Sequence, residues 1–266
     1  MANRILEGKK GIIFGALNDM SIAWKAAEAA VREGAEIVLT NTAVALRLGT
    51  LDELAARCSA PVIVADATSV EDLERLVDET MAHFGGKFDF VLHSVGMSPN
   101  VRKRIPYETA NYDYMMKTFD ISAVSFHKLL KVLYQKDALN DHGSVVALSY
   151  IAADRAVDGY SDMSDAKALL QSVTRNFGSI YGRRNGVRVN TVSQSPTMTS
   201  AGQGIAGMDK MLDYAGRLSP LGNADAEDCA DYIVTLFSDY TRKVTMQNLY
   251  NDGGFSSMAC SVDVLG

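Results

Sequence analysis

Short apolar runs alternate with stretches of helical spacing along the chain. Residues 10–15 (KGIIFG), 36–41 (EIVLTN), 61–65 (PVIVA), 88–95 (FDFVLHSV), 143–149 (GSVVALS), 186–193 (GVRVNTVS) and 246–254 (MQNLYNDGG) read as strands. Helical spacing is read over 21–33, 69–83, 111–136, a segment carrying Tyr160 and Lys167 to about 181, 208–217 and 225–238. Ser21 and Ser69 stand where helix N-caps are expected. Apolar strands separated by helices imply a parallel sheet covered on both faces. Right-handed crossovers leave few topologies. The expected fold class is α/β: a single-domain doubly wound parallel sheet, Rossmann-like, spanning residues 1–266. No linker, low-complexity segment or internal repeat interrupts the pattern. Residues 194–207 are rich in small and polar side chains and follow a strand end, where open α/β sheets place ligands. The stretch 194–217 is therefore expected to form a mobile substrate loop.

Composition narrows the class. The three cysteines, Cys58, Cys229 and Cys260, are odd in number and lack paired spacing. They point to a reducing compartment, hence the cytoplasm, and away from disulfides or zinc. The four histidines are scattered, and no metal site is expected. A net charge of −6 disfavours nucleic acid as a partner. No signal peptide and no uncharged run of about 20 apolar residues is read, so no membrane association is expected.

The densest chemistry lies in SYIAADRAVDGYSDMSDAKALL, which holds Tyr150, Tyr160 and Lys167. A Tyr and a Lys seven residues apart share one face of a helix. A nearby ammonium favours the phenolate, so a lowered tyrosine pKa is expected. The pair could then hydrogen-bond an oxygen that becomes negative during reaction. Tyr-x6-Lys alone is equally compatible with a solvated Lys and a half-buried Tyr. The first strand–turn–helix offers a dinucleotide a helix N-terminus. Gly15 permits the tight turn, and a Ser21 hydroxyl could replace a glycine N–H contact. The turn reads GALNDMSIA, however, and lacks the middle glycine of the general fingerprint. The acidic ribose anchor is also absent, since the second strand ends in Asn41-Thr42.

Several segments carry a family resemblance: GALNDMSIAWKAAEAA, FVLHSVG, LSYIAADRAVDGYSDMSDAKA, GVRVNTVSQSPTMTSA and the terminal NDGGFS. Together, from about Gly8 to Met258 and in this order, they resemble the NADH-dependent enoyl-[acyl-carrier-protein] reductases, a divergent branch of the short-chain dehydrogenase/reductase family. The resemblance implies hydride transfer from NADH to the trans-2 double bond of enoyl-[acyl-carrier-protein] thioesters in fatty-acid elongation. It implies Tyr160 as donor to the enolate oxygen, Lys167 at the nicotinamide ribose, and Tyr150 as a second tyrosine near the substrate. Gly15, Ser21 and Ile22 match the pyrophosphate turn, Asp66 and Ala67 the adenine site, and Val95 and Gly96 the ribose and nicotinamide side. Thr197, Met198, Thr199, Ser200 and Ala201 match the loop that holds the carboxamide and pyrophosphate. Thr42 stands where NADH users often have Gln. Ser98 and Met163 are expected at the substrate, with Met115 and Met116 as possible apolar wall residues.

The chain departs from the family where it reads Ser195-Pro196-Thr197-Met198-Thr199, since members often read G-P-I-R-T. No Arg or Lys at 41–44 pairs with a 2′-phosphate, so NADH is expected over NADPH, with Arg47 the nearest cation. Acyl carrier protein is the expected partner, and Arg102-Lys103-Arg104 could steer it. A homotetramer is implied by the family. Leu169, Leu170, Val173 and Phe177 are the expected interface stripe. Two other readings compete. A 3-oxoacyl or other carbonyl reductase usually places a Ser thirteen residues before the Tyr, and here that position is Ala147. A catalytically silent dinucleotide sensor has no need of the Tyr160–Lys167 pair.

Overall fold

The apolar runs become strands in the computed structural model, which describes residues 3–199, 202 and 207–265, except the side chains at 262 and 265. The first half holds β1 (Lys10–Phe14), α1 (Ile22–Arg32), β2 (Glu36–Thr40), α2 (Ala43–Leu48), α3 (Leu51–Cys58), α4 (Val70–Phe84), β3 (Phe88–His93), α5 (Pro99–Arg102), α6 (Tyr112–Phe119) and α7 (Ser125–Gln135). The second holds β4 (Leu139–Ser149), α8 (Met163–Asn185), β5 (Arg188–Gln194), α9 (Met208–Leu218), α10 (Ala226–Phe237), β6 (Asn248–Asn251) and α11 (Val262–Leu265). Among the described residues one six-stranded sheet forms, in the order β2-β1-β3-β4-β5-β6. Every neighbouring pair is parallel.

Both faces are dry, and strand alternation divides the apolar side chains between them. Ile13, Phe90, Leu92, Val146, Leu148 and Val192 face one core with α1 and α10. Ile12, Phe14, Phe88, Val91, Val145, Ala147 and Val189 face the other, against α4, α7 and α8. The doubly wound reading therefore holds. β1 lies between β2 and β3, so the winding reverses beside its carboxyl end. At such a switch point the loops splay apart and leave a crevice.

The sequence reading departs from the structure in several places, four of which bear on the site or on assembly. Residues 61–65 run beside the sheet edge, with Val62 in a lone bridge to Leu39 rather than a full strand. Pro61 has no N–H to give the ladder. The helix read over 111–136 contains a π-helical turn at Asp120–Val124 between α6 and α7. Such turns place a wider ring of backbone and often mark functional positions. Tyr160 precedes α8 and sits in a turn, so the shared-helix-face argument for it and Lys167 does not hold. The proposed interface stripe is also mostly internal. Leu170, Val173 and Phe177 pack into the second core, and of the four only Leu169 faces out.

Candidate active site

The ends of β1, β2 and β3 and the start of the segment after residue 65 enclose a cleft of about 180 Å³. Gly15, Thr42, Asp66, Ala67 and Val95, five of the expected cofactor positions, line it together. Phe14, Asn41, Thr68 and Ile121 join them. Ile121 was not foreseen. It comes from the π-helical turn, far from the rest in sequence, and no local pattern marks it.

Gly15 is the tightest point. Its φ is +92°, and an added Cβ would lie 1.9 Å from the Ser94 carbonyl oxygen. Only glycine lets the β1 turn pass this close to the end of β3. Asp66 stands at the rim. Its Oδ1 accepts from the Thr68 N–H at 2.8 Å and hydroxyl at 2.7 Å, which orients the carboxylate. Thr42 caps α2 by accepting from the Ala45 N–H at 3.3 Å.

Ser21 occupies the N-cap position of α1 without capping it. Its hydroxyl turns back, accepts from the Leu17 N–H at 3.1 Å and donates to the Asn18 carbonyl at 2.5 Å. It thereby fixes the enlarged turn that replaces the glycine-rich one. The first turn of α1 has neither a side-chain cap nor an acidic residue, which suits an anion. Ile22, the first residue of α1, is buried beneath it.

The second part of the site lies past β3 and β4. Tyr150 follows β4 directly, and its ring centroid is 5.0 Å from that of Tyr160, tilted by 46°. The Tyr150 hydroxyl donates to the Met211 sulfur of α9 at 3.4 Å. Burial pushes the Tyr150 phenol up to about 12. The Tyr160 phenol rises further, through burial first and then the neighbouring Tyr150. The expected lowering is thus overturned: burial raises the phenol, and Tyr160 stays a neutral donor.

Lys167 is 7% exposed, and its Nζ donates to the Leu148 carbonyl at 2.7 Å. Burial lowers its pKa to about 8. Gly96 leaves open the space above this ammonium. A Cβ there would sit 3.7 Å from Nζ and 3.9 Å from Met163 Cε. Met163 packs with Val101 and Ala166 beside Tyr160. Gly96, Tyr160, Met163 and Lys167 therefore meet in one place. The ammonium, the open floor at Gly96 and the adjoining cleft fit the ribose and nicotinamide half of a dinucleotide.

Ser98 does not face this space. It is 3% exposed, donates to Asp162 Oδ1 at 2.6 Å and accepts from the Val101 N–H at 3.0 Å. Its hydroxyl is used internally, so any substrate contact would have to come from other atoms of the residue. Thr197 and Met198 line a second cleft of about 360 Å³ with Met20, Lys25 and Asn223. Thr199 accepts from the Gly202 N–H at 3.0 Å. Ser200 and Ala201 lie outside the described residues. Met115 is partly buried and Met116 is exposed on α6. Among the described residues no group of three or more His, Cys, Asp or Glu could hold a metal ion. No described helix is long and apolar enough to cross a membrane.

A doubly wound sheet with a crevice at its switch point, and a Tyr and a buried Lys nearby, defines a nucleotide-dependent oxidoreductase of the short-chain type. Comparison with known proteins gives the family. The profile described as "Enoyl-(Acyl carrier protein) reductase" matches residues 15–256. Enoyl-[acyl-carrier-protein] reductase [NADH] 2 of Rhizobium meliloti is 32% identical, over 96% of this chain and 94% of that protein. The Escherichia coli enoyl-[acyl-carrier-protein] reductase [NADH] FabI is 32% identical, over 96% of each. The crystal structure of a FabI–NADH complex from Alistipes finegoldii is 66% identical. It superposes with a TM-score of 0.97 over 98% of this chain and 92% of that one. The chain belongs to the enoyl-(acyl carrier protein) reductase family.

Proposed function

We propose that this chain reduces the trans-2 double bond of enoyl-[acyl-carrier-protein] thioesters with NADH, as a step of fatty-acid elongation, and that Tyr160 and Lys167 carry the reaction. The observation that carries it is Gly96, next to the cleft-lining Val95, with Lys167 Nζ and Met163 against it and Tyr160 packed on the Met163 cluster. NADH, when bound, supplies the hydride that reaches the substrate β-carbon.

The chain's residues do the rest. Gly15, Ser21 and Ile22 present the α1 N-terminus to the pyrophosphate. Asp66 and Ala67 take the adenine end and Thr42 the ribose beside it. Lys167, its ammonium held by the Leu148 carbonyl, binds the nicotinamide ribose. Charge moves onto the thioester oxygen as the β-carbon is reduced. The neutral Tyr160 hydroxyl donates a hydrogen bond to that oxygen until the α-carbon is protonated. Its raised pKa keeps the proton on Tyr160 at working pH. Tyr150 and Met163 wall the acyl chain. Met211 of α9 touches Tyr150 on this side. Ser200 and Ala201 rest on the family resemblance alone. Acyl carrier protein delivers the substrate in the cytoplasm, and the chain works as a homotetramer.

The test is NADH oxidation with crotonyl and 3-oxoacyl thioesters side by side. Turnover of the enoyl substrate alone is expected, while preference for the 3-oxoacyl compound would overturn the reading. Tyr160→Phe is expected to lower kcat by roughly 10²-fold, as for one oxyanion donor, with NADH affinity kept. Near-normal kcat would remove Tyr160 from the role.

A further inference from the structure

Tyr160 has no helix to hold it. It lies between Gly159, at φ +77°, and Ser161, at φ +46°. A left-handed Ser costs about 1 kcal/mol. The Ser161 hydroxyl is also buried without a hydrogen bond. Such a turn persists only when its surroundings over-determine it. Backbone bonds close the turn locally, from the Tyr160 N–H to the Val157 carbonyl and from the Met163 N–H to the Tyr160 carbonyl, and one buried side chain ties it to distant elements. Asp162 is 0% exposed and stands at the N-cap position of α8, yet caps nothing. Its Oδ1 accepts from Ser98 Oγ at 2.6 Å. Its Oδ2 accepts from Asn100 Nδ2 at 2.9 Å and from Thr118 Oγ1 at 2.7 Å.

These donors come from separate places. Ser98 and Asn100 follow the β3 end that carries Val95 and Gly96, and Thr118 belongs to α6. Asn100 is itself fixed, with both side-chain atoms bonded to the Asn111 backbone at 3.1 and 3.2 Å. Val101, Met163 and Ala166, neighbours of these residues in sequence, form an apolar cluster with Phe119 and Tyr160. A buried carboxylate is costly, and an apolar residue of similar size would pack there at less cost. What the carboxylate adds is direction: three donors at fixed angles on one group.

We infer that Asp162 is the positioning residue for Tyr160, its buried carboxylate locking the turn that presents the phenol to the substrate against the segment after β3 and against α6. The inference rests on the reading of Tyr160 as the enolate donor. Asp162 touches no reacting atom. Asp162→Asn turns an amide donor against Asn100 or Ser98 and releases the turn. A misplacement of about 1 Å costs on the order of 10²-fold in rate.

The experiment is a double-mutant cycle on the full-length protein, using Asp162→Asn and Tyr160→Phe, with kcat, NADH affinity and circular dichroism measured for each. Asp162→Asn is expected to lose most of what Tyr160→Phe loses, with NADH affinity and secondary structure unchanged. In the Tyr160→Phe background it is expected to cost nothing further. A residue that merely supports the fold would lower kcat by the same factor in both backgrounds, and that result overturns the inference. So does a normal kcat for Asp162→Asn. If that variant does not fold, Thr118→Val, which removes one donor and keeps the shape, takes its place in the cycle. A smaller loss that vanishes with Tyr160→Phe is then expected, and a normal or independent kcat overturns the inference. A normal kcat in Tyr160→Phe alone would instead defeat the reading of Tyr160 itself.

Discussion

Lys167 titrates in the range where an enzyme works, and its two consequences have opposite signs. Its ordinary value near 10.5 falls to about 8 because burial penalises the charged form. The unfolded chain therefore binds more protons than the folded one between about pH 8 and 10.5. Stability from this group rises with pH across that window. Function runs the other way. As pH climbs through about 8, the ammonium that holds the ribose is lost, and kcat/KM for NADH is expected to fall. Lys167→Ala should weaken NADH binding at pH 7 and abolish this limb of the profile. Unchanged NADH affinity in that variant would contradict the ribose role. The spacing of Tyr150, Tyr160 and Lys167 was legible in the sequence because a fixed motif carries it. The direction of the tyrosine shift was not. It depends on how deeply Tyr160 and Tyr150 are enclosed, which only the packed fold decides. The direction of the Ser98 hydroxyl, toward Asp162, was not legible either, because a position next to the site says nothing of which way its side chain points.

At the scale of elements, the strands were the most legible part, because burial on both faces leaves runs that are apolar throughout. Boundaries set by turn geometry were less so. The start of α8 at Met163 rather than before Tyr160 follows from the left-handed Ser161, which no sequence rule marks. The π-helical turn at Asp120–Val124 hides inside an unbroken helical pattern. Cofactor choice belongs at this scale as well. β2 ends at Thr40, and Thr42 is the N-cap of α2, its hydroxyl oxygen accepting from the Ala45 N–H. Asn41 is tied to the Ala16 carbonyl at 2.9 Å. This corner of the cleft therefore offers hydroxyl and amide groups but no cation to a 2′-phosphate. Arg47 stands in the last turn of α2 and is exposed. NADH is expected to give a higher kcat/KM than NADPH, and Thr42→Arg to narrow the difference. A strong NADPH preference in the unmutated protein would show that Arg47 or a more distant cation reaches the phosphate.

At the scale of the whole molecule, the question is what covers the outside of α8. Its inner face is fully used: Leu170, Val173, Phe177 and Tyr181 are buried in the second core, and Ala166 packs with Val101 and Met163. The sequence offered an apolar stripe without saying which side it faced, because a buried helix is apolar over much of its circumference. What remains outside is narrower. Leu169 is 37% exposed and Ile180 46%, and eleven residues, about three turns, separate them on one line. Tyr134 of α7 is also exposed at 37%, with the Arg184 guanidinium 4.1 Å from its ring centroid. This line is too thin to drive association on apolar area alone, so a stable assembly must add polar contacts and further surfaces. Closed symmetry does so by burying the same patches twice in each pair. A homotetramer with α8 at a two-fold axis would then brace the helix that carries Lys167 and follows Tyr160, which couples assembly to activity. Light scattering at micromolar concentration is expected to give a mass near four times the 28.8 kDa of one chain. Asp substitution of both Leu169 and Ile180 should shift that mass downward and lower kcat with it. A fully active species at the mass of a single chain would rule the tetramer out.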